Sequence, residues 1–173
     1  GEGENCIVDL ANRLARGQEC SDVTNLWIRN RNGGIKKNPQ RALVDMDTLP
    51  IMDLGIFEEN RIYRPMAGQT YRMIPIETHR GCPYTCAFCN SPSQVKLHRD
   101  SGVGEFFRKK SMEKIREELA YLINRWDAEY IYFPADTFLA WSDQEIYSFV
   151  DMYREFRLPF WCQTRPETIT DEK

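Results

Sequence analysis

Apolar residues recur along this chain with two different periods, and the change of period divides it. Residues 4 to 16, ENCIVDLANRLAR, space Cys6, Ile7, Leu10, Leu14 and Ala15 as one face of a helix, and Gly17 is its stop signal. The stretch NLWIRNRNGGIKKNP then has alternating apolar positions around Asn32-Gly33-Gly34, which predicts a β-hairpin. Between 38 and 72 the periodicity fades and Pro39, Pro50 and Pro65 intervene, so this stretch reads as a connecting segment lying over another domain. There is no internal repeat and no low-complexity tract.

From residue 73 the pattern is that of an α/β protein. MIPIET (73–78) is a short strand, followed by a cysteine-rich loop and a long loop through residue 110. Ser111 caps a helix with apolar positions Met112, Ile115, Leu119, Leu122, Ile123 and Trp126. YIYF (130–133) is an unbroken apolar run, as expected of a strand buried on both faces. SDQE (142–145) is a capping box that opens a helix through Ile146, Phe149, Val150, Tyr153 and Phe156, and LPFWCQ (158–163) is a third strand. The order β-α-β-α-β predicts parallel strands joined by crossover helices. Ligands of such sheets lie beyond the carboxyl ends of the strands. Three segments meet there: the loop GCPYTCAFCN (81–90), PADT (134–137), and Gln163 to Arg165.

Composition narrows the function classes. The chain has 173 residues and a formal charge of −3, which gives no footprint for nucleic acid or an anionic membrane surface. A hydrophobic content of 42% is that of a chain able to build a core, and no apolar run reaches the roughly 20 residues that span a bilayer. No secretory signal is recognisable, so the expected compartment is the cytoplasm. Six cysteines in a reducing compartment are metal ligands or buried thiols rather than a disulfide framework. The chain opens on Gly1 and ends just after a strand, so an internal piece of a longer protein is expected.

Cys82, Cys86 and Cys89 fall within eight residues. Thiolates select zinc, copper(I) or iron–sulfur clusters. Zinc prefers four ligands drawn from two segments, and here only His79 or His98 is on hand to complete the set. A [4Fe–4S] cluster held by three cysteines leaves one iron open to a substrate or cofactor. Zinc, an iron–sulfur cluster and plain buried thiols all remain open on spacing alone. Gly81 supplies backbone freedom for the loop, and Arg80 reads as a solvated side chain. The 90–110 stretch carries Lys96, Arg99, Arg108, Lys109 and Lys110, either a solvated run or a basic loop facing an anionic ligand. Cys162 reads as a core thiol, with a fourth cluster ligand as the alternative, and Cys6 and Cys20 as packing residues.

CPYTCAFC resembles the signature of the radical S-adenosylmethionine (SAM) enzymes, CxxxC followed by any residue, an aromatic and a cysteine, with Phe88 in the aromatic slot. GEGENCIVDLANRL, the hairpin, the connector PQRALVDMDTLPIMDLGIF, FRKKSMEKIREELAYLI and YIYFPADTFLAW are similar to the cobalamin-dependent group of that superfamily. The resemblance implies the first half of a partial (β/α) barrel over residues 73–173. It implies a connector with a hairpin over 21–72 and the end of a cobalamin-binding domain over 1–20. It also implies a [4Fe–4S] cluster on Cys82, Cys86 and Cys89, with SAM on the fourth iron and cleaved to a 5′-deoxyadenosyl radical. Phe88 would pack near the adenine. Asp136, with Thr137, would hold the SAM amine or else act as a turn residue. Arg165, beside Gln163, would pair with the SAM carboxylate or Asp136, or else lie on the surface. Expected partners are SAM, an unidentified substrate and an electron donor such as flavodoxin or ferredoxin, with no nucleic acid and no membrane. Cobalamin is expected only in the full-length protein, whose histidine ligation motif this sequence lacks, and methyl transfer or a rearrangement would follow. The competing class is a non-catalytic zinc module on the same cysteines.

Overall fold

The computed structural model describes residues 2–171 and 173. Helix α1 spans Glu4–Ala15, and a hairpin of β1 (Trp27–Arg29) and β2 (Ile35–Lys37) turns through Asn32-Gly33-Gly34, as the alternation predicts. The apolar face of α1 is not buried as a whole: Cys6 is inside, while Ile7, Val8 and Leu14 lie open.

The connector is more structured than its weak periodicity suggests. Three short 3-10 turns, Met46–Thr48, Leu54–Ile56 and Glu59–Ile62, carry Leu54 and Ile62 into the main core. A second hairpin follows, β3 (Tyr63–Met66) against β4 (Gln69–Pro75), turning at Ala67-Gly68 with φ of +49° and +79°. The first parallel strand therefore starts at Gln69 rather than at residue 73. Pro65 did not exclude a strand because β3 lies at the sheet edge, where a missing N–H costs no ladder bond.

After β4 come β5 (His79–Arg80), helix α2 (Ser91–Ser101) and β6 (Arg108–Lys109), with β5 and β6 paired antiparallel. The expected long loop thus contains a helix, stopped by Gly102 in the left-handed region. Its mostly polar sequence, with Val95 and Leu97 as the aliphatic positions, concealed it from a search for an apolar stripe.

Helix α3 (Met112–Trp126), β7 (Tyr130–Phe133), α4 (Asp143–Tyr153) and β8 (Phe160–Cys162) follow, with short 3-10 turns at Phe138–Ala140 and Pro166–Thr168. Ser111 accepts from the Lys114 N–H, and Ser142 with Glu145 forms the capping box read from the sequence. The sheet order is β3-β4-β7-β8, with β4, β7 and β8 parallel and only β3 antiparallel. Ile74, Ile131 and Phe133 pack with Ile115, Leu119, Leu122, Ile146 and Phe149 of the two helices. Strand β7 is not fully buried on both faces: Ile131 and Phe133 are inside, whereas Tyr130 and Tyr132 are half-buried. Tyr132 stacks on Trp161 at 4.8 Å between ring centroids.

Candidate metal centre

The cysteine loop leaves the core through a backbone that only glycine fits. Gly81 has φ +84°, and a Cβ there would stand 2.4 Å from the Phe106 carbonyl oxygen. The close approach follows from the β5–β6 pairing, extended by the Lys110 N–H donating to the Thr78 carbonyl at 2.9 Å. Arg80, expected to be solvated, instead donates to both carboxylate oxygens of Glu77 at 2.9 Å and to Glu2 and Glu4 at 2.6 and 2.7 Å. The Glu77 pairing above all, against the opposing effect of burial, holds this guanidinium firmly charged.

Beyond Gly81 the loop meets both strand-end segments named from the sequence. Cys82 is buried, with its Sγ 3.6 Å from Thr137 Oγ1. Cys86 is half-buried and lies within electrostatic range of Arg165, which sits 4.2 Å from the centre of the Tyr84 ring and pairs with Glu167 at 3.4 Å. Cys89 is exposed. Its Sγ lies 3.4 Å from the Ser91 hydroxyl oxygen and accepts from the Ser91 N–H at 3.4 Å, and these contacts lower its thiol pKa against smaller opposing effects of burial and the Asp136 carboxylate. Asp136 and Gln163 are exposed at the same edge, and Phe88 is 94% exposed at the loop's outer side. Tyr84 was not singled out by sequence reasoning; its cation–π contact with Arg165 across the fold has no local signature.

The residues converge as segments, but the ligands are not gathered. Among the described residues, no three Cys, His, Asp or Glu side chains stand close enough together to hold a metal ion. The donor set nevertheless fits an iron–sulfur cluster in its chemistry: three thiols on one loop, one lowered in pKa, one against a buried hydroxyl and one near a guanidinium. Metal sites of this type are completed by binding rather than preformed.

Neither histidine stands with the cysteines in a group able to hold a metal ion among the described residues. His79 is buried, and its Nδ1 accepts from Trp141 Nε1 at 2.9 Å and from the Thr78 hydroxyl at 3.1 Å. Burial, with nearby Lys109, lowers its pKa to about 4, so at neutral pH it is uncharged with its proton on Nε2. Its Nε2 is buried without a hydrogen-bond partner among the described residues, and the nearby Thr137 backbone opposes part of the shift. His98 is buried on α2, edge-on to Phe106 at 5.2 Å. Cys162 is a half-buried thiol raised in pKa by burial, packed against the core.

Four of the five cations of the basic stretch have partners. Lys96 pairs with Asp100 on its own helix, whereas Arg108 with Glu2, Lys109 with Glu145 at 2.7 Å and Lys110 with Glu118 at 2.7 Å hold separate elements together. Arg99 is exposed.

No family model matches the sequence. The chain is 30% identical over 142 residues to an uncharacterised methyltransferase of Pyrococcus horikoshii, covering 80% of this chain and 28% of that protein. It is also 30% identical over 132 residues to the anaerobic magnesium-protoporphyrin IX monomethyl ester cyclase of Rubrivivax gelatinosus, covering 73% of this chain and 21% of that protein. The chain thus spans about a quarter of the length of these curated relatives. Among solved structures, OxsB, a cobalamin-dependent SAM radical enzyme, superposes with a TM-score of 0.69 at 20% identity, over 99% of this chain and 24% of its own. The chain has the fold of the cobalamin-dependent radical SAM enzymes. TsrM from Kitasatospora setae, a radical SAM methyltransferase solved with cobalamin and a [4Fe–4S] cluster bound, matches with a TM-score of 0.60 at 19% identity, over 99% of this chain and 34% of its own. No helix among the described residues is long and apolar enough to cross a membrane.

Proposed function

We propose that the chain is the cluster-bearing part of a radical SAM enzyme, with Cys82, Cys86 and Cys89 as the ligands of a [4Fe–4S] cluster. The observation that carries this reading is the meeting of the cysteine loop with both strand-end segments, Cys82 at Thr137 and Tyr84 at Arg165. When bound, such a cluster supplies an open iron position for SAM and the electron that cleaves its sulfonium C–S bond to methionine and a 5′-deoxyadenosyl radical.

The chain's own residues then divide the tasks of binding and orientation. Arg165, stacked on Tyr84 and steadied by Glu167, presents a fixed cation to the SAM carboxylate. Asp136, exposed beside Cys89, is the acceptor for the SAM amine, and Gln163 offers an amide on the same rim. Phe88 is free to cover the adenine. Gly81 lets the loop pass the Phe106 carbonyl.

In the whole protein the chain would occupy the start of a partial (β/α) barrel, with residues 1–20 closing a cobalamin-binding domain. TsrM, a methyltransferase solved with cobalamin bound, favours methyl transfer as the outcome in that protein, with a rearrangement as the alternative. A low-potential donor such as flavodoxin or ferredoxin would supply the electron. The zinc module has no observation in its favour, since His79 is engaged with Trp141 and Thr78.

Anaerobic reconstitution of the full-length protein with iron and sulfide tests the reading. The expected result is about four irons per chain and an electron paramagnetic resonance signal, in the reduced state, that changes when SAM is added. Zinc in place of iron, or a signal indifferent to SAM, overturns it.

A further inference from the structure

We propose that the Thr137 hydroxyl is a positioning and tuning group for the cluster, donating a hydrogen bond to the sulfur of Cys82 and thereby raising the cluster's reduction potential. The inference rests on the reading above and adds a role distinct from holding SAM.

Three observations carry it. Thr137 is 2% exposed, and its Oγ1 lies 3.6 Å from Cys82 Sγ, within hydrogen-bond reach for sulfur. Of the three cysteines, Cys82 is the one that is buried, so water competes least for this contact. The position of Thr137 is also tightly built. Its carbonyl accepts from the Ala140 N–H at 3.0 Å, and the next residue's N–H donates to the Gln163 carbonyl at 2.7 Å.

Donor and acceptor counting sets the direction. With Cys82 as a thiol, its S–H can donate to Thr137 Oγ1, while the hydroxyl proton goes to the Asp136 carbonyl at 2.8 Å. A ligating Cys82 has no proton, so the hydroxyl is then the only donor of the pair. Rotation about the Thr137 C–O bond turns the O–H away from the Asp136 carbonyl and towards the Cys82 side. A hydrogen bond to a ligating sulfur withdraws electron density and favours the reduced, more negative cluster.

The test is a potentiometric titration of the full-length, reconstituted protein without SAM, monitored by electron paramagnetic resonance, on wild type, Thr137→Val, Thr137→Ser and Thr137→Ala. Valine and alanine remove the hydroxyl; serine keeps it. The expected result is unchanged iron content in all four. At the wild-type midpoint, the ratio of reduced to oxidised cluster falls about threefold in the valine and alanine variants, equivalent to about 28 mV for a one-electron couple. Serine retains the wild-type midpoint. If valine fails to load iron, the serine–alanine pair decides alone. Equal midpoints with and without the hydroxyl overturn the proposal; if SAM's effect on the signal is then weakened as well, Thr137 is a SAM contact only. A wild-type protein that assembles no cluster overturns the functional reading itself, and this inference with it.

Discussion

At the scale of single residues, the site depends on groups whose chemistry is set by burial. His79 keeps its neutral form because charging it would leave an imidazolium in the core beside Lys109. Its pKa of about 4 when folded lies below the ordinary 6.5, so the unfolded chain binds a proton more readily. Stability from this group is complete above pH 6.5 and is lost as pH falls towards 4, by about 3 kcal/mol in total. Denaturant unfolding of the protein across that window is expected to show the slope. His79→Gln removes it; a slope that survives the substitution belongs to other groups. Paired carboxylates respond lower down: Glu145, where burial is outweighed by Lys109 and Ser142, is held at about 2 and keeps its charge through this range. Gly81 is a second single-residue dependence. Gly81→Ala meets both a positive φ and the Phe106 carbonyl, and is expected to cost more than about 2 kcal/mol. Iron content after reconstitution should drop sharply in that variant, and full loading would show that the loop can be rebuilt around a side chain.

Among elements, the sequence was most legible where apolar period and capping chemistry agreed. Helices α3 and α4 announce themselves through Ser111, Ser142 and Glu145 as well as through their buried stripes, and β7 through YIYF. The misses share a cause. The second hairpin stands at the sheet edge, where Pro65 is tolerated and Tyr63 and Arg64 face solvent, so no alternation marks it. Helix α2 buries little beyond His98 and has no apolar stripe to detect. The candidate site was legible as far as local spacing goes, in the three cysteines and the strand ends, but Tyr84 and the Arg80 cluster depend on contacts across the fold. The same limit hid the ion pair between Lys110, ahead of α3, and Glu118 within it, each 6% exposed. Removing one partner leaves the other charge buried, so Glu118→Gln is expected to destabilise by about 3–5 kcal/mol. Lys110→Met combined with Glu118→Leu should recover most of that loss in thermal unfolding. A double variant as weak as the single one would mean that the cost lies in lost packing rather than in an uncompensated buried charge.

For the whole molecule, the decisive feature is that the chain's first residues and its cysteine loop are joined by charge. Glu2 accepts from Arg80 and Arg108 and, through its other oxygen, from the Val44 N–H at 2.8 Å. Burial opposes its ionised form, but these partners overcome it and keep the carboxylate charged. Arg80 immediately precedes Gly81, and Arg108 lies on the strand paired with it, so one carboxylate 78 positions away in sequence steadies both strands under the cysteine loop. Charge-assisted bonds of this kind are among the stronger polar contacts, and here they are shielded from water on the Glu2 side. The expected consequence is communication: a disturbance at the N-terminal segment reaches the cysteine loop without passing through the hydrophobic core. Glu2→Gln should raise amide exchange in residues 79–82 and 108–110 by an amount comparable to that of Arg80→Met, and the double variant should add little to either. Exchange that rises only within residues 2–15 would mean that the two ends meet without being coupled. Coupling would make the segment around Glu2 part of the support of the cysteine loop, with Arg80 and Arg108 as the links.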